Sequence, residues 1–263
     1  KEKGFFLLNY EFLKNEKELI LSIVNKLDIN TIINNKDINI ELKGAGNYVI
    51  DLLKSNHLSL NEKNQIKNSI LTNKKLADEI SATLGFKSFP TSFNLMINHF
   101  NKQSIEFEGP KQWHRDNSAA AGQVKIFFIL NLIQNETGGH FYYLPLSAIE
   151  SHKKFFLKRD YDNQIKLWNR FRYKDDEIQK YKDFRKDIQI YPSSNNNLAD
   201  ILVINTNDCY HKGGHIKKEG CYRLLLHIVF DPAIAFTDQK GNHFLKRVFT
   251  YSKNIFREKI PLE

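Results

Sequence analysis

QWHRDNSAAAGQVKIFFILNLIQNETGGHFYYLPL, residues 112–146, and ADILVINTNDCYHKGGHIKKEGCYRLLLHIVF, residues 199–230, are the two stretches whose reading decides the fold. In the first, Val124 to Ile133 is a near-continuous apolar run rich in β-branched and aromatic residues. Such a run reads as a strand covered on both faces. Gly138-Gly139 marks a turn, and His140 to Leu144 reads as the returning strand of a hairpin. In the second stretch, Ile201 to Asn205 and Tyr222 to Phe230 read as strands joined through a turn at His211-Lys212-Gly213-Gly214.

The polar residues of these stretches suggest chemistry. His114 and Asp116 are two apart, so on an extended segment they point the same way. His211 follows much later, on what reads as a facing strand. Two histidines and one carboxylate fill one face of an octahedral Fe(II) and leave the remaining positions open. A chain with nine histidines also produces this pattern by chance, and a surface His–Asp hydrogen bond is the plainer alternative. Arg223 lies near the start of the last strand, beside Leu224-Leu225-Leu226. A buried arginine needs an anionic partner, and its planar fork suits a carboxylate.

Outward from this centre the pattern changes. Gly4 to Tyr10 reads as a short strand, and Leu19, Ile20, Ile23, Val24 and Leu27 form one helical face. Residues 28–42 read as loop, with room for a short strand, and 47–53 as helix. Residues 59–83 read as two short helices, the first capped by Ser59 with Glu62 in the capping-box position. From Thr91 the period becomes that of a strand: Phe93, Leu95, Ile97 and His99 alternate with Asn94, Met96 and Asn98. Residues 148–191 are charged, with aromatics at helical intervals, and read as a helical insertion. Two readings of it stand: a lid over the site, or a surface elaboration with its aromatics turned inward. Residues 242–259 read as a basic helix with an apolar stripe, either packed on the sheet or a second subunit, or in peripheral contact with a membrane surface. No repeat or linker interrupts the chain. It is read as one domain, 1–263, with 1–90 as helical support and 91–147 plus 199–232 as the core carrying the site.

Composition sets the outer limits. The chain has 263 residues with 41% hydrophobic and 26% charged content, as in a globular protein. The formal charge of +9 reflects a lysine-rich surface or, on the sharper reading, attraction to an anionic substrate. No basic run is long enough to argue for nucleic acid. Cys209 and Cys221 lack the spacing of a zinc site, and a reduced, cytoplasmic compartment is the simplest expectation. No apolar run reaches the roughly 20 residues of a membrane span. The first residue is Lys1, so an N-terminal segment is expected to have been trimmed.

Both stretches resemble the phytanoyl-CoA dioxygenase-like branch of the Fe(II)/2-oxoglutarate oxygenases. The resemblance rests on Trp113-His114-Arg115-Asp116, Val124-Lys125-Ile126-Phe127 and Gly138-Gly139-His140-Phe141-Tyr142-Tyr143-Leu144-Pro145 in the first block. In the second it rests on Ala199-Asp200-Ile201, His211-Lys212-Gly213 and Gly220-Cys221-Tyr222-Arg223-Leu224. Pro145-Leu146-Ser147-Ala148 departs from the family's Pro-Gly-Ser-His, so no substrate contact is carried over from that turn. The resemblance implies an α+β fold with a double-stranded β-helix (jelly-roll) core and flanking helices. It implies His114, Asp116 and His211 as iron ligands and Arg223 as the anchor for 2-oxoglutarate, with O2 as the further co-substrate. Lys125, Phe128 and Gly213 are expected to line the co-substrate pocket, although Lys125 also reads as a surface lysine. Trp113, Asn117, His140 and His215 are candidates for substrate contact.

His215 competes with His211 as the ligand, and His-x-Gly after a strand favours His211. The implied reaction is hydroxylation of an unactivated C–H bond. The expected substrate is small and anionic: a sugar acid, a surface-polysaccharide or lipid-linked sugar, or a natural-product intermediate. A free amino acid is the next candidate. The rival readings are an inactive jelly-roll binding module and, further off, a nucleic-acid-binding protein. An oligomer is compatible with all of these.

Overall fold

The computed structural model describes residues 4–34, 49–100, 112–116, 123–131, 133–134, 136–151, 172–173, 186–192, 200–206 and 208–232. Two antiparallel sheets lie face to face, with helices packed on the outer face of the larger. The chain opens with β1 (Phe5–Leu8), a 3-10 turn (Tyr10–Leu13), α1 (Lys14–Val24) and α2 (Ile29–Asn34). It continues through β2 (Val49–Asp51), α3 (Leu60–Leu71), α4 (Lys74–Leu84) and β3 (Ser88–His99). Then come β4 (Trp113–His114), β5 (Val124–Ile129), β6 (Phe141–Tyr143), α5 (Leu146–Ser151), β7 (Arg172–Tyr173) and β8 (Gln189–Tyr191). The described part ends with β9 (Ile201–Ile204), β10 (His211–Gly213) and β11 (Tyr222–Pro232). The larger sheet runs β1-β9-β5-β11-β3-β2 and the smaller β7-β4-β10-β6-β8.

Strand periodicity sorts side chains into two cores. Even positions of β5 and β11 (Ile126, Phe128, Leu224, Leu226, Ile228) and odd positions of β3 (Leu95, Ile97) turn outward. There they meet Leu13, Ile20, Ile23, Ile66, Ile70, Leu76 and Ile80 of the helical layer. The opposite parity (Ile129, Leu225, Met96) turns inward against Phe141, Tyr143 and Tyr191 of the smaller sheet. The helices follow from local signals. Ser59 accepts a hydrogen bond from the Glu62 N–H while the Glu62 carboxylate accepts from the Ser59 N–H, a full capping box. The α4 helix stops at Gly85, whose φ of +81° is left-handed.

Several sequence expectations give way to the sheets. Residues 47–53 were expected to be helical, yet Val49–Asp51 is an edge strand with Ile50 opposite Ile97. Four apolar residues in so short a run fit either period, and pairing with β3 decides. Residues 29–34, expected to be loop, form α2, with Asp28 accepting from the Thr31 N–H and hydroxyl. The β5–β6 hairpin does not exist: β5 belongs to the larger sheet and β6 to the smaller. Gly138 and Gly139 hold φ values of +71° and +89°, and the Gly139 N–H donates to the His215 carbonyl. The glycine pair therefore docks on the loop after β10 and carries the chain across to the other sheet. The turn expected at His211 is itself a strand, β10. Most of the expected helical insertion, and all of residues 242–259, lie outside the described residues. The described part of 148–191 includes β7 and β8, two outer strands of the smaller sheet, where helix was expected.

Leu226 is fully buried between β11 and the helices, whereas Leu7 is half exposed. Leu226→Ala is expected to lower the unfolding free energy by about 2–5 kcal/mol, through lost burial and a residual cavity. Leu7→Ala is expected to stay within about 0.5 kcal/mol of wild type. Urea unfolding of the two variants checks the layer assignment.

Candidate metal centre

The site begins with one register. β10 lies between β4 and β6, and His211 is directly opposite His114 on one side and Tyr143 on the other. Directly opposed residues bring their side chains together on one face of an antiparallel pair. The two imidazole centroids are 4.3 Å apart. Asp116 follows β4 and is anchored by its N–H, which donates to the Thr206 carbonyl at 2.8 Å. The donor atoms of His114, Asp116 and His211 all lie within 4.8 Å of one another. Asp116 Oδ1 is 3.7 Å from His114 Nε2, and its Oδ2 is 3.6 Å from His211 Nε2. Those spacings are long for hydrogen bonds. They approach the roughly 3 Å that separates donors each about 2 Å from a shared ion.

Tautomer and charge fit a metal as well. His114 Nδ1 donates to the Gln112 carbonyl at 2.7 Å, and His211 Nδ1 to the Cys209 carbonyl at 3.1 Å. A carbonyl only accepts, so each Nδ1 carries the proton and each Nε2 presents a lone pair to the cluster. Burial works against the charged Asp116, but nearby His211, Lys125 and His114 outweigh it. They hold the carboxyl well below its usual range. Lys125 Nζ donates directly to Asp116 Oδ2 at 2.5 Å. Lys125 is therefore an inward residue bound to the cluster, not a surface lysine.

Arg223 lies on the inward face of β11 and is buried. Its partners are neutral: Nε and one terminal nitrogen donate to Asn98 Oδ1 at 3.3 and 3.1 Å, and the other donates to the Gly139 carbonyl at 2.7 Å. No carboxylate pairs with it among the described residues. Burial lowers this guanidinium to about 10. His140 is buried nearby, with no hydrogen-bond partner for Nε2 among the described residues. Burial, then Lys217 and Arg223, push its imidazole below the usual value.

The other expected residues fall in different places. Phe128 is corrected: it faces the helical core, fully buried, with Lys17 Nζ 5.7 Å from its ring centre. Lys125 and Phe128 are three apart, so a strand puts them on opposite faces. Phe127 takes the inward place, stacked on Phe141 and on His227. Trp113 is buried in β4, with Lys212 Nζ 5.5 Å from its ring centre. Gly213 pairs with Phe141 in β10. His215 is not one of the three clustered residues, and its carbonyl receives Gly139. Asn117 lies outside the described residues. The residues that sequence reasoning missed are Asn98, Asn94, Phe127, Phe141 and His227. Parity with Arg223 along β11, and with Met96 along β3, is the signal that finds most of them.

No protein-family model matches the sequence, and no curated protein matches it. Solved structures share the fold. The non-heme alpha ketoglutarate dependent epimerase SnoN from nogalamycin biosynthesis aligns at TM-score 0.55 and 11% identity, over 93% of this chain and 84% of that one. The non-heme alpha ketoglutarate dependent carbocyclase SnoK from the same biosynthesis aligns at TM-score 0.54 and 11% identity, over 94% and 87%. HygX from Streptomyces hygroscopicus, solved with nickel and 2-oxoglutarate, aligns at TM-score 0.50 and 13% identity, over 88% and 84%. The fold, at these identities, is what the likeness shows.

The depressed Asp116 carboxyl yields a pH signature. Its stabilisation is complete above the unfolded value of 3.8 and is lost as pH falls through the lower folded value. Lys125→Met removes one of the charges that hold it low. The stability advantage of metal-free wild type over Lys125→Met is expected to be constant from about pH 5 to 7 and to shrink below about pH 4. Urea unfolding across that range measures it. An advantage that does not change down to pH 2 would mean that this ion pair does not set it.

Proposed function

We propose that this protein is an Fe(II)/2-oxoglutarate-dependent oxygenase with a jelly-roll core in a single domain, and that it hydroxylates an unactivated C–H bond of a small anionic molecule. One observation carries the reading. A His114–Asp116–His211 cluster and a buried arginine without an anionic partner among the described residues both face inward between the two sheets. The cluster matches the donors that leave open positions on Fe(II). The arginine matches a ligand bearing a second, remote carboxylate. The fold of SnoN, also solved with Fe3+, alpha ketoglutarate and nogalamycin RO, supports the same cofactors here.

Each residue then has a task. His114, Asp116 and His211 hold the metal, and the carbonyls of Gln112 and Cys209 fix the two histidine tautomers. Lys125 balances the second oxygen of Asp116 and keeps that carboxylate ionised. Arg223, aimed by Asn98 and the Gly139 carbonyl, takes the far carboxylate of 2-oxoglutarate. Phe127 and Phe141 stack at 4.5 Å and keep this wall of the site dry. When bound, iron and 2-oxoglutarate supply the oxidising chemistry that O2 requires to act on a C–H bond.

An anionic substrate is supported by the charge of +9. Sugar acids, surface-polysaccharide or lipid-linked sugars, and natural-product intermediates are the classes to screen. SnoN and SnoK are described as an epimerase and a carbocyclase, so product analysis must look beyond the alcohol.

Anaerobic titration of Fe(II) and 2-oxoglutarate into the metal-free protein tests the reading through the visible charge-transfer band of the chelate. The band is expected in wild type and in His215→Ala and absent in His211→Ala. In Arg223→Ala it is expected to need about 10- to 100-fold more 2-oxoglutarate, the loss of a charged hydrogen-bonded pair. Absence of iron binding in wild type would replace the enzyme with a jelly-roll binding module. Substrate affinity that ignores ionic strength would remove the anionic assignment.

A further inference from the structure

The inward face of the larger sheet carries a polar group that the reading above leaves unused. Along β11, Arg223, Leu225 and His227 face inward, opposite Asn98, Met96 and Asn94 of β3. On the other side, Leu225 and His227 lie opposite Ile129 and Phe127 of β5, and Val229 lies opposite Lys125. The face therefore reads in rows: Arg223 with Asn98, then Leu225 between Met96 and Ile129, then His227 between Asn94 and Phe127, then Lys125. Lys125 reaches Asp116 at the metal cluster, and Arg223 marks the far end. Leu225 is the apolar row between them, and His227 lies on the metal side of it. The His227 ring stacks on Phe127 (5.1 Å, 22°), which stacks on Phe141, which stacks on His211 (5.4 Å, 26°).

The tautomer of His227 follows from its neighbours. Lys54 Nζ, paired with Asp51 at 3.0 Å, donates to Asn94 Oδ1 at 3.3 Å. An ammonium only donates, so Asn94 turns its carbonyl oxygen to Lys54 and its NH2 to His227. That NH2 is 3.2 Å from His227 Nδ1, which therefore accepts. In the neutral ring the proton is then on Nε2. Burial, with the positive Lys125 nearby, pushes His227 down to about 3, against the pull of Asp116, so the ring is neutral at any working pH. Nε2 is buried and has no hydrogen-bond partner among the described residues. A covered N–H without an acceptor is costly to the fold, and an oxygen brought by a ligand would satisfy it.

We infer that His227 is a ligand-reading residue of this site: its Nε2–H, oriented by the Asp51–Lys54–Asn94 chain, donates to an oxygen at the metal end of the bound 2-oxo acid, while Arg223 holds the other end. This rests on the oxygenase reading, and the experiment separates the two. Wild type, His227→Phe and His227→Gln are titrated anaerobically, first with Fe(II) and then with 2-oxoglutarate. His227→Phe keeps the stacked ring and loses the donor; His227→Gln returns an N–H at similar reach. The expected result is unchanged Fe(II) affinity in all three. His227→Phe then needs about 10-fold or more 2-oxoglutarate to develop the band, and His227→Gln recovers most of that loss. Equal 2-oxoglutarate affinity in wild type and His227→Phe, with thermal melts showing both folded, overturns the inference and leaves the oxygenase reading standing. No chelate in wild type overturns both. An independent readout uses the metal-free protein: two-bond 15N–1H correlation, with the His227 signals assigned by their loss in His227→Phe, is expected to show the Nε2–H form. An Nδ1–H form overturns the inference whatever the titrations give.

Discussion

Everything at the candidate site depends on one cross-strand register. β10 is three residues long, yet it lies between β4 and β6 and sets His211 against His114. A slip of one residue would turn either histidine to the far side of the sheet. That register closes the long gap in sequence between the two imidazoles. The backbone carbonyls of Gln112 and Cys209 then fix which nitrogen of each ring faces the cluster. Geometry and proton placement thus come from the same short strands.

The larger sheet supplies the opposite wall by the same pleat rule. Its outward parity is mostly apolar and carries the helices, while its inward parity is graded from Arg223 through Leu225 to His227 and Lys125. Asn98 and Asn94 are neutral groups that orient charged or ring side chains without cancelling their charge. A carboxylate at position 98 would have closed the Arg223 site from within. The two sheets therefore divide the work: the smaller gathers the candidate metal donors, and the larger orders the polar groups proposed to face a ligand.

Much of this was legible in the sequence because it rests on spacing. His114 and Asp116 share a face because they are two apart, and the period-2 run through Ile97 announces β3. Ser59 with Glu62 announces the start of α3. What sequence did not give is pairing. The hairpin expected from β5 to β6 is a passage between sheets, since Gly138-Gly139 docks on the His215 loop and does not close a local turn. The misplacement of Phe128 was avoidable: an odd separation from Lys125 already excludes a shared face. His227 is harder, because its importance comes from Asn94 and Lys54, partners distant in sequence that only the β3–β11 register reveals. Residues 47–53 show the limit of short apolar runs, where a neighbouring strand and not the local pattern chooses the period.

The neutral surroundings of Arg223 have a thermodynamic consequence. A buried cation whose partners are an amide and a carbonyl is tolerated by the fold without being neutralised by it. An anion that reaches it stabilises the folded chain and has no counterpart to stabilise in the unfolded one. Ligand occupancy and folding are then linked quantities. On the proposed function, the co-substrate would act as a strut as well as a reagent, and the stability of the folded protein would follow the concentration of a small dicarboxylate around it.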